Sequence, residues 1–117
     1  MNNLSIVFQG QAYPLATTLR VAFMVQGQND HKPYAEIFKD VGTMPVEKQI
    51  DIVYAAVVCA NKDFAKACTA QSFRDYYLDN YNLKDLLAHL EAVVKGIMGE
   101  APEEADTDNR TSETPGN

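Results

Sequence analysis

Residues 82–99 read NLKDLLAHLEAVVKGIMG, and this stretch decides the class of the fold. Asn82 followed three residues later by Asp85 is a helix-start signature, in which a side chain bonds an otherwise orphaned backbone N–H. Leu83, Leu86, Leu87, Leu90, Val93, Val94, Ile97 and Met98 then follow the i, i+3, i+4, i+7 rule over four turns. Lys95 lies in the last turn, where the helix dipole favours a cation, and Gly99 supplies the stop. Burying such side chains gains about 1.5–3 kcal/mol each before ordering entropy is charged.

Working back towards the N-terminus, four more helical stretches precede this one. Thr17 or Thr18 can cap a helix over residues 19–26, with Leu19, Ala22 and Phe23 inward, Arg20 outward and Gly27 as its end. A second helix is expected over about residues 31–41, with Asp30 as N-cap, Pro33 in its first turn and Gly42 as its stop. Its stripe is Tyr34, Ile37, Phe38 and Val41. A third, over about residues 45–61, can be capped by Thr43 and carries Val46, Ile50, Val53, Tyr54, Val57 and Val58. The breadth of its apolar face marks it as the central helix. Asp63 can cap a fourth from Phe64, interrupted near residues 69–72. There Ser72 and Asp75 have capping-box spacing and would begin a short turn bearing Phe73, Tyr76, Tyr77 and Leu78.

The first fifteen residues are of a different kind. Leu4, Ile6 and Phe8 alternate with polar or outward positions, Gln9-Gly10-Gln11 reads as a tight turn, and residues 12–15 return as a strand. Pro14 has no N–H to give a ladder, so that strand is short or at an edge. A lone hairpin is marginal in water and must pack on helices or pair with another chain. The expected fold class is therefore α+β, mainly α: an N-terminal β-hairpin packed on a bundle of about four to five helices. One globular domain over 1–99 and a disordered acidic tail over 100–117 complete the organisation.

The charge distribution supports that division. The 117 residues carry a net charge of −6, of which residues 100–117, with six acids and Arg110, account for −5. That segment has no large apolar residue and cannot bury enough surface to offset its ordering entropy. The body, net −1, has no Lys/Arg cluster, which argues against a nucleic-acid partner. No apolar run approaches the ~18–20 residues of a membrane span, and the first residues lack a secretory pattern, so no membrane partner and a cytosolic location are expected.

Reaction chemistry is not legible. Cys59 and Cys68, nine residues apart, match neither a redox pair nor a zinc pair and read as buried free thiols. His31 and His89 sit in no metal-binding motif. Asp75, Asp79 and Asp85 lack the central glycine of a calcium loop. No nucleophile elbow, phosphate loop or carrier-domain Asp-Ser-Leu motif is present. No catalytic residue, cofactor or metal is expected. What stands out is aromatic density, with Phe73, Tyr76, Tyr77 and Tyr81 within nine residues. Neighbouring Tyr76 and Tyr77 cannot both point inward on one helix. They either lie on the core with hydroxyls in water or form a partner-binding patch, for which Tyr is well suited.

The opening LSIVFQGQAYPL of residues 4–15, Thr18-Leu19-Arg20 and the FRDYYL of residues 73–78 together resemble the tail assembly chaperones of long-tailed phages and prophages of Gram-positive bacteria. The resemblance covers about residues 3–98. It implies a non-enzymatic factor, working in the cytoplasm of the bacterial host, that binds the tape-measure protein, keeps its apolar helices soluble and helps recruit the major tail (tube) protein. Under this reading Phe73, Tyr76, Tyr77 and Tyr81 are the contact residues. The edge strand 12–15, with Tyr13, is a second docking or self-association site. The competing expectation is a small adaptor or regulatory domain unrelated to tail assembly.

Overall fold

The computed structural model describes residues 5–99; the acidic segment 100–117, for which a disordered tail is expected, lies outside the described residues. Strands β1 (Ser5–Phe8) and β2 (Gln11–Pro14) form an antiparallel hairpin with Ile6 opposite Tyr13 and Phe8 opposite Gln11. Its two-residue turn places Gln9 at φ 52° and Gly10 at φ 82°. Two successive left-handed residues give the turn whose twist matches the strands, and only the second is a glycine. Ile6 and Phe8 face the interior, while Ser5 and Val7 face out.

Among the described residues six α-helices follow: α1 (Leu19–Gln28), α2 (Tyr34–Lys39), α3 (Val46–Ala60), α4 (Phe64–Ala67), α5 (Ala70–Asn80) and α6 (Leu83–Ile97). The fold is the mainly helical α+β class expected. Helix α3 is central, with α1, α5 and α6 packed around it. Ile50, Ile52, Val53, Ala55, Ala56 and Val57 are all buried, so apolar surface runs around most of the helix rather than along one stripe. The chain entering α1 is tied to it, the Ala16 N–H donating to the Ala56 carbonyl at 3.0 Å. Asn61, just past α3, donates to the Pro14 carbonyl at 3.1 Å and so holds β2.

Local expectations and structure part company at several helix ends. Helix α1 starts after Thr18, but it runs through Gly27 to Gln28, and its buried side is Val21, Ala22 and Val25. Leu19 and Phe23, expected inward, face solvent. The branched Val21 and Val25 and the small Ala22 form a second stripe, and α3 packs against that one. Asp30 and His31 both adopt left-handed φ, 59° and 61°, so they form the link between helices and Asp30 caps nothing. Helix α2 begins only after Pro33. A 3₁₀ turn over Val41–Thr43 replaces the expected stop at Gly42. Thr43 is not the cap of α3, since its hydroxyl donates back to the Asp40 carbonyl at 3.0 Å. The buried Gln49 of α3 instead donates to the Val41 carbonyl at 2.9 Å, fastening that turn to the core.

Helix α5 begins at Ala70, not Ser72. Thr69 is the cap, its hydroxyl accepting from the Ser72 N–H at 3.1 Å, which puts Ser72 inside the first turn. Helix α6 has the full capping box: the Asp85 N–H donates to Asn82 Oδ1 at 2.9 Å and the Asn82 N–H to Asp85 Oδ2 at 3.3 Å. Gly99 closes it with φ 84°, its N–H donating to the Gly96 carbonyl at 3.1 Å. The buried side of α6 is Leu86, Leu90 and Val93, while Leu83, Leu87 and Met98 are exposed.

Candidate functional site

The aromatic residues singled out by the sequence come together, but they divide between core and rim. Phe73 is 0% exposed and Tyr77 is 2% exposed. Phe73 presents no contact surface to a partner in this fold and Tyr77 almost none, so the docking role expected of them does not match their placement. The physical reason is the hairpin: Phe8 of β1 lies on this face of α5, stacked on Phe73 with ring centroids 5.7 Å apart. Tyr54 of α3 and Phe64 of α4 close the ring around Phe73 at 5.3 and 6.0 Å. Tyr76 is half-buried against Phe8 at 4.5 Å. Tyr13 is half-buried on Phe64 at 4.9 Å. Aromatic neighbours of this kind add about 0.5–1.5 kcal/mol each beyond the area they bury.

Tyr81, the residue that ends α5, is a fastener. Its ring stacks on Tyr77 at 4.5 Å. Its hydroxyl accepts from the Val7 N–H at 3.0 Å and donates to the Val7 carbonyl at 2.6 Å. In a hairpin with a two-residue turn the pair next to the turn exchanges both ladder bonds, so the groups of Val7 point away from β2. One phenol therefore occupies the middle of the outer edge of β1.

Beneath that stack the Tyr77 hydroxyl bonds His89 Nδ1, joining α5 to α6. Burial pushes the tyrosine well above its usual range, with Tyr81 and Asp85 adding to the effect. Burial lowers His89, while Asp85 opposes the change. Burial thus favours the neutral form of both groups. The sign of the linkage follows. As pH falls below about 6.5 the unfolded chain takes up the histidine proton first. Stability drops until the lowered folded pKa is passed. Above about pH 10 the unfolded chain loses the phenol proton first, and stability drops again. In urea titrations, His89→Gln is expected to flatten the acid-side loss relative to the wild-type chain between about pH 7 and 5. Equal slopes for the two proteins would show that His89 does not carry it.

The cysteines are quiet. Burial raises both thiols, although Arg20 pulls Cys59 the other way. Protonated, partly or wholly covered thiols are poor nucleophiles. Among the described residues no group of three or more His, Cys, Asp or Glu is arranged to hold a metal ion, and no helix is long and apolar enough to cross a membrane.

Among the described residues, exposed apolar side chains border a groove in two places. The first is a groove of about 140 Å³ where the start of α3, the end of α5 and the start of α6 meet. Its rim carries Val46, Leu78 and Leu83, which are 44%, 52% and 60% exposed, and Tyr77 and Tyr81 form part of its wall. The second is the outward side of α1. Sequence periodicity assigned Leu83 and Val46 to the core stripes, so their exposure was hidden. The nearest signal was the excess of apolar positions over what one helix face can bury. No family model matches this chain, and neither a curated protein nor a solved structure matches it.

Proposed function

We propose that this chain is a non-enzymatic assembly chaperone that holds an apolar helical segment of a tape-measure protein and helps bring tail-tube subunits to it. The observation that carries this reading is the groove between α3, α5 and α6. Three apolar side chains from three helices stand exposed around a cleft the size of one large side chain. That geometry suits helix-in-groove recognition, in which one or two apolar anchors of an amphipathic helix enter a preformed slot. A loaded chaperone must also stay soluble, and the net charge of −5 on residues 100–117 favours this through repulsion. The contact residues are Leu78, Leu83 and Val46, with Tyr81 behind them.

The test is co-expression with the tape-measure protein encoded in the same genome. The wild-type chain is expected to co-purify with it and raise its soluble yield. Leu78→Asp with Leu83→Asp should weaken capture by at least about tenfold, as loss of central interface anchors does. Both side chains are exposed, so the helical circular-dichroism signal should persist. Undiminished capture by the double variant would remove the groove from the mechanism. Failure of the wild-type chain to bind the tape-measure protein would leave the adaptor reading in its place.

A further inference from the structure

The rim of the groove between α3, α5 and α6 is unevenly charged. Helices α3 and α5 run antiparallel there: Asp51 pairs with Arg74 at 3.1 Å, and about one turn further along both helices Val46 stands across the groove from Leu78. Glu47 is four residues from Asp51 and so on the same side of α3, which sets it on the Leu78 side of the rim. Asp75, Leu78 and Asp79 share the outward side of α5 at three- and four-residue spacing. Glu47, Asp75 and Asp79 are exposed, and none of them has an ion pair among the described residues. Two further acids of this region are already engaged, Asp51 by Arg74 and Asp85 in the capping box of α6. Against the three stands Lys84, next to Leu83. Lys48 is turned towards α1, its ammonium donating to the Gln28 carbonyl at 3.3 Å. Residues 1–99 carry nine bases and ten acids, so this excess of acid is local.

We propose that the helix taken up by this groove is basic: an amphipathic helix whose apolar anchors are flanked by Lys or Arg. That selectivity rests on the groove being the docking site proposed above. Val46, Leu78 and Leu83 receive the anchors, and Glu47, Asp75 and Asp79 face the cations beside them. Complementary charge on a rim acts on encounter and on partner choice more than on the buried contact. Each exposed pair adds up to about fivefold to binding at low salt. The same three acids repel a helix with acidic flanks, so the site discriminates between two helices that carry identical anchors. Residues 100–117 do not fit, being acidic and without a large apolar side chain. Residues 1–4 offer Met1 and Leu4 but only one cation, the terminal amine, against three acids.

Two synthetic helical peptides with the same leucine anchors, one flanked by Lys and the other by Glu, test this by fluorescence anisotropy against the full chain. The Lys-flanked peptide should bind at least about tenfold tighter in about 0.05 M salt, and the ratio should fall to about threefold or less in about 0.5 M salt. Glu47→Lys with Asp79→Lys should remove the preference. The same change of net charge made by Glu36→Lys with Glu103→Lys should leave most of it, which separates the rim from the charge of the whole chain. Glu36, Glu47 and Asp79 are exposed, so thermal melts should show that the variants stay folded. Equal binding of the two peptides, or a preference that survives reversal at Glu47 and Asp79, overturns the proposal. So does a wild-type chain that binds neither peptide; if Leu4→Ser then restores binding, residues 1–4 are the occupant. The peptides carry no tape-measure sequence, so a chain that prefers the Lys-flanked peptide but fails to capture the tape-measure protein would remove that partner and leave the charge selection standing.

Discussion

Phe73→Ala is expected to lower the unfolding free energy by about 3–5 kcal/mol, the range for removing a buried aromatic ring from a packed core. The ring is fully enclosed and touches four elements at once: Phe8 on β1, Tyr54 on α3, Phe64 on α4 and Tyr77 on its own helix. No single neighbour can move in to fill the void without leaving the others. Domains of this size are held together by only about 5–15 kcal/mol, so the loss takes a large share. A fall in melting temperature of more than about 12 °C should follow. Urea denaturation checks it, with the midpoint shifting and the slope unchanged. A loss under about 1 kcal/mol would mean that the aromatic cluster is not the structural centre described here. There is a practical corollary for binding studies. A variant at Phe73 or Tyr77 that fails to capture a partner reports on folding, and only the exposed leucines test the groove.

Gly96→Ala is expected to destabilise the chain, against the usual sign for a helix. An alanine gains up to about 1 kcal/mol over glycine in a helix interior. Here the added Cβ would lie 2.6 Å from both Cβ and Cγ2 of Thr17, where the end of α6 crosses the loop leading into α1. The Thr17 Cβ is fixed by the backbone and cannot swing away, whatever rotamer Cγ2 adopts. Overpacking of this kind costs about 1–3 kcal/mol, so against the helix gain the net change is a loss of up to about 2 kcal/mol. Thr17→Gly should rescue the variant, whereas Thr17→Ala should not, because it keeps the offending carbon. A double-mutant cycle in urea measures the coupling. A more stable Gly96→Ala protein would show that α6 and the Thr17 loop are not in close contact. Gly27 is the internal control: with open space around it, alanine there should stabilise.

Which parts of this architecture could be read in advance depends on how far each signal reaches along the chain. The capping box of Asn82 and Asp85, the turn at Gly10 and the central helix were legible because their causes lie within a few residues. Helix α1 was misread because it carries two competing stripes. Leu19 and Phe23 are the more apolar, but Val21, Ala22 and Val25 allow α3 to approach closely, and the partner decided. The cap of α5 was misplaced by three residues because Thr69 and Ser72 both offer a capping hydroxyl. For the site, aromatic density at residues 73–81 was visible. Its orientation was not, since Phe8 and Val7, some seventy positions earlier, determine which rings are covered. The groove was invisible for the same reason: Val46, Leu78 and Leu83 converge only after three helices have packed.

The phenol of Tyr81 on Val7 has a consequence for the chain at high concentration. An amyloid-like ladder grows only if each added strand is received on one flank and offers the next flank in turn. With the middle of one flank stoppered by a side chain from α5, and Pro14 unable to donate on the other, this two-stranded sheet is a poor template for such a stack. The outer edge of β1 is thus closed by a residue of the helical layer beneath it.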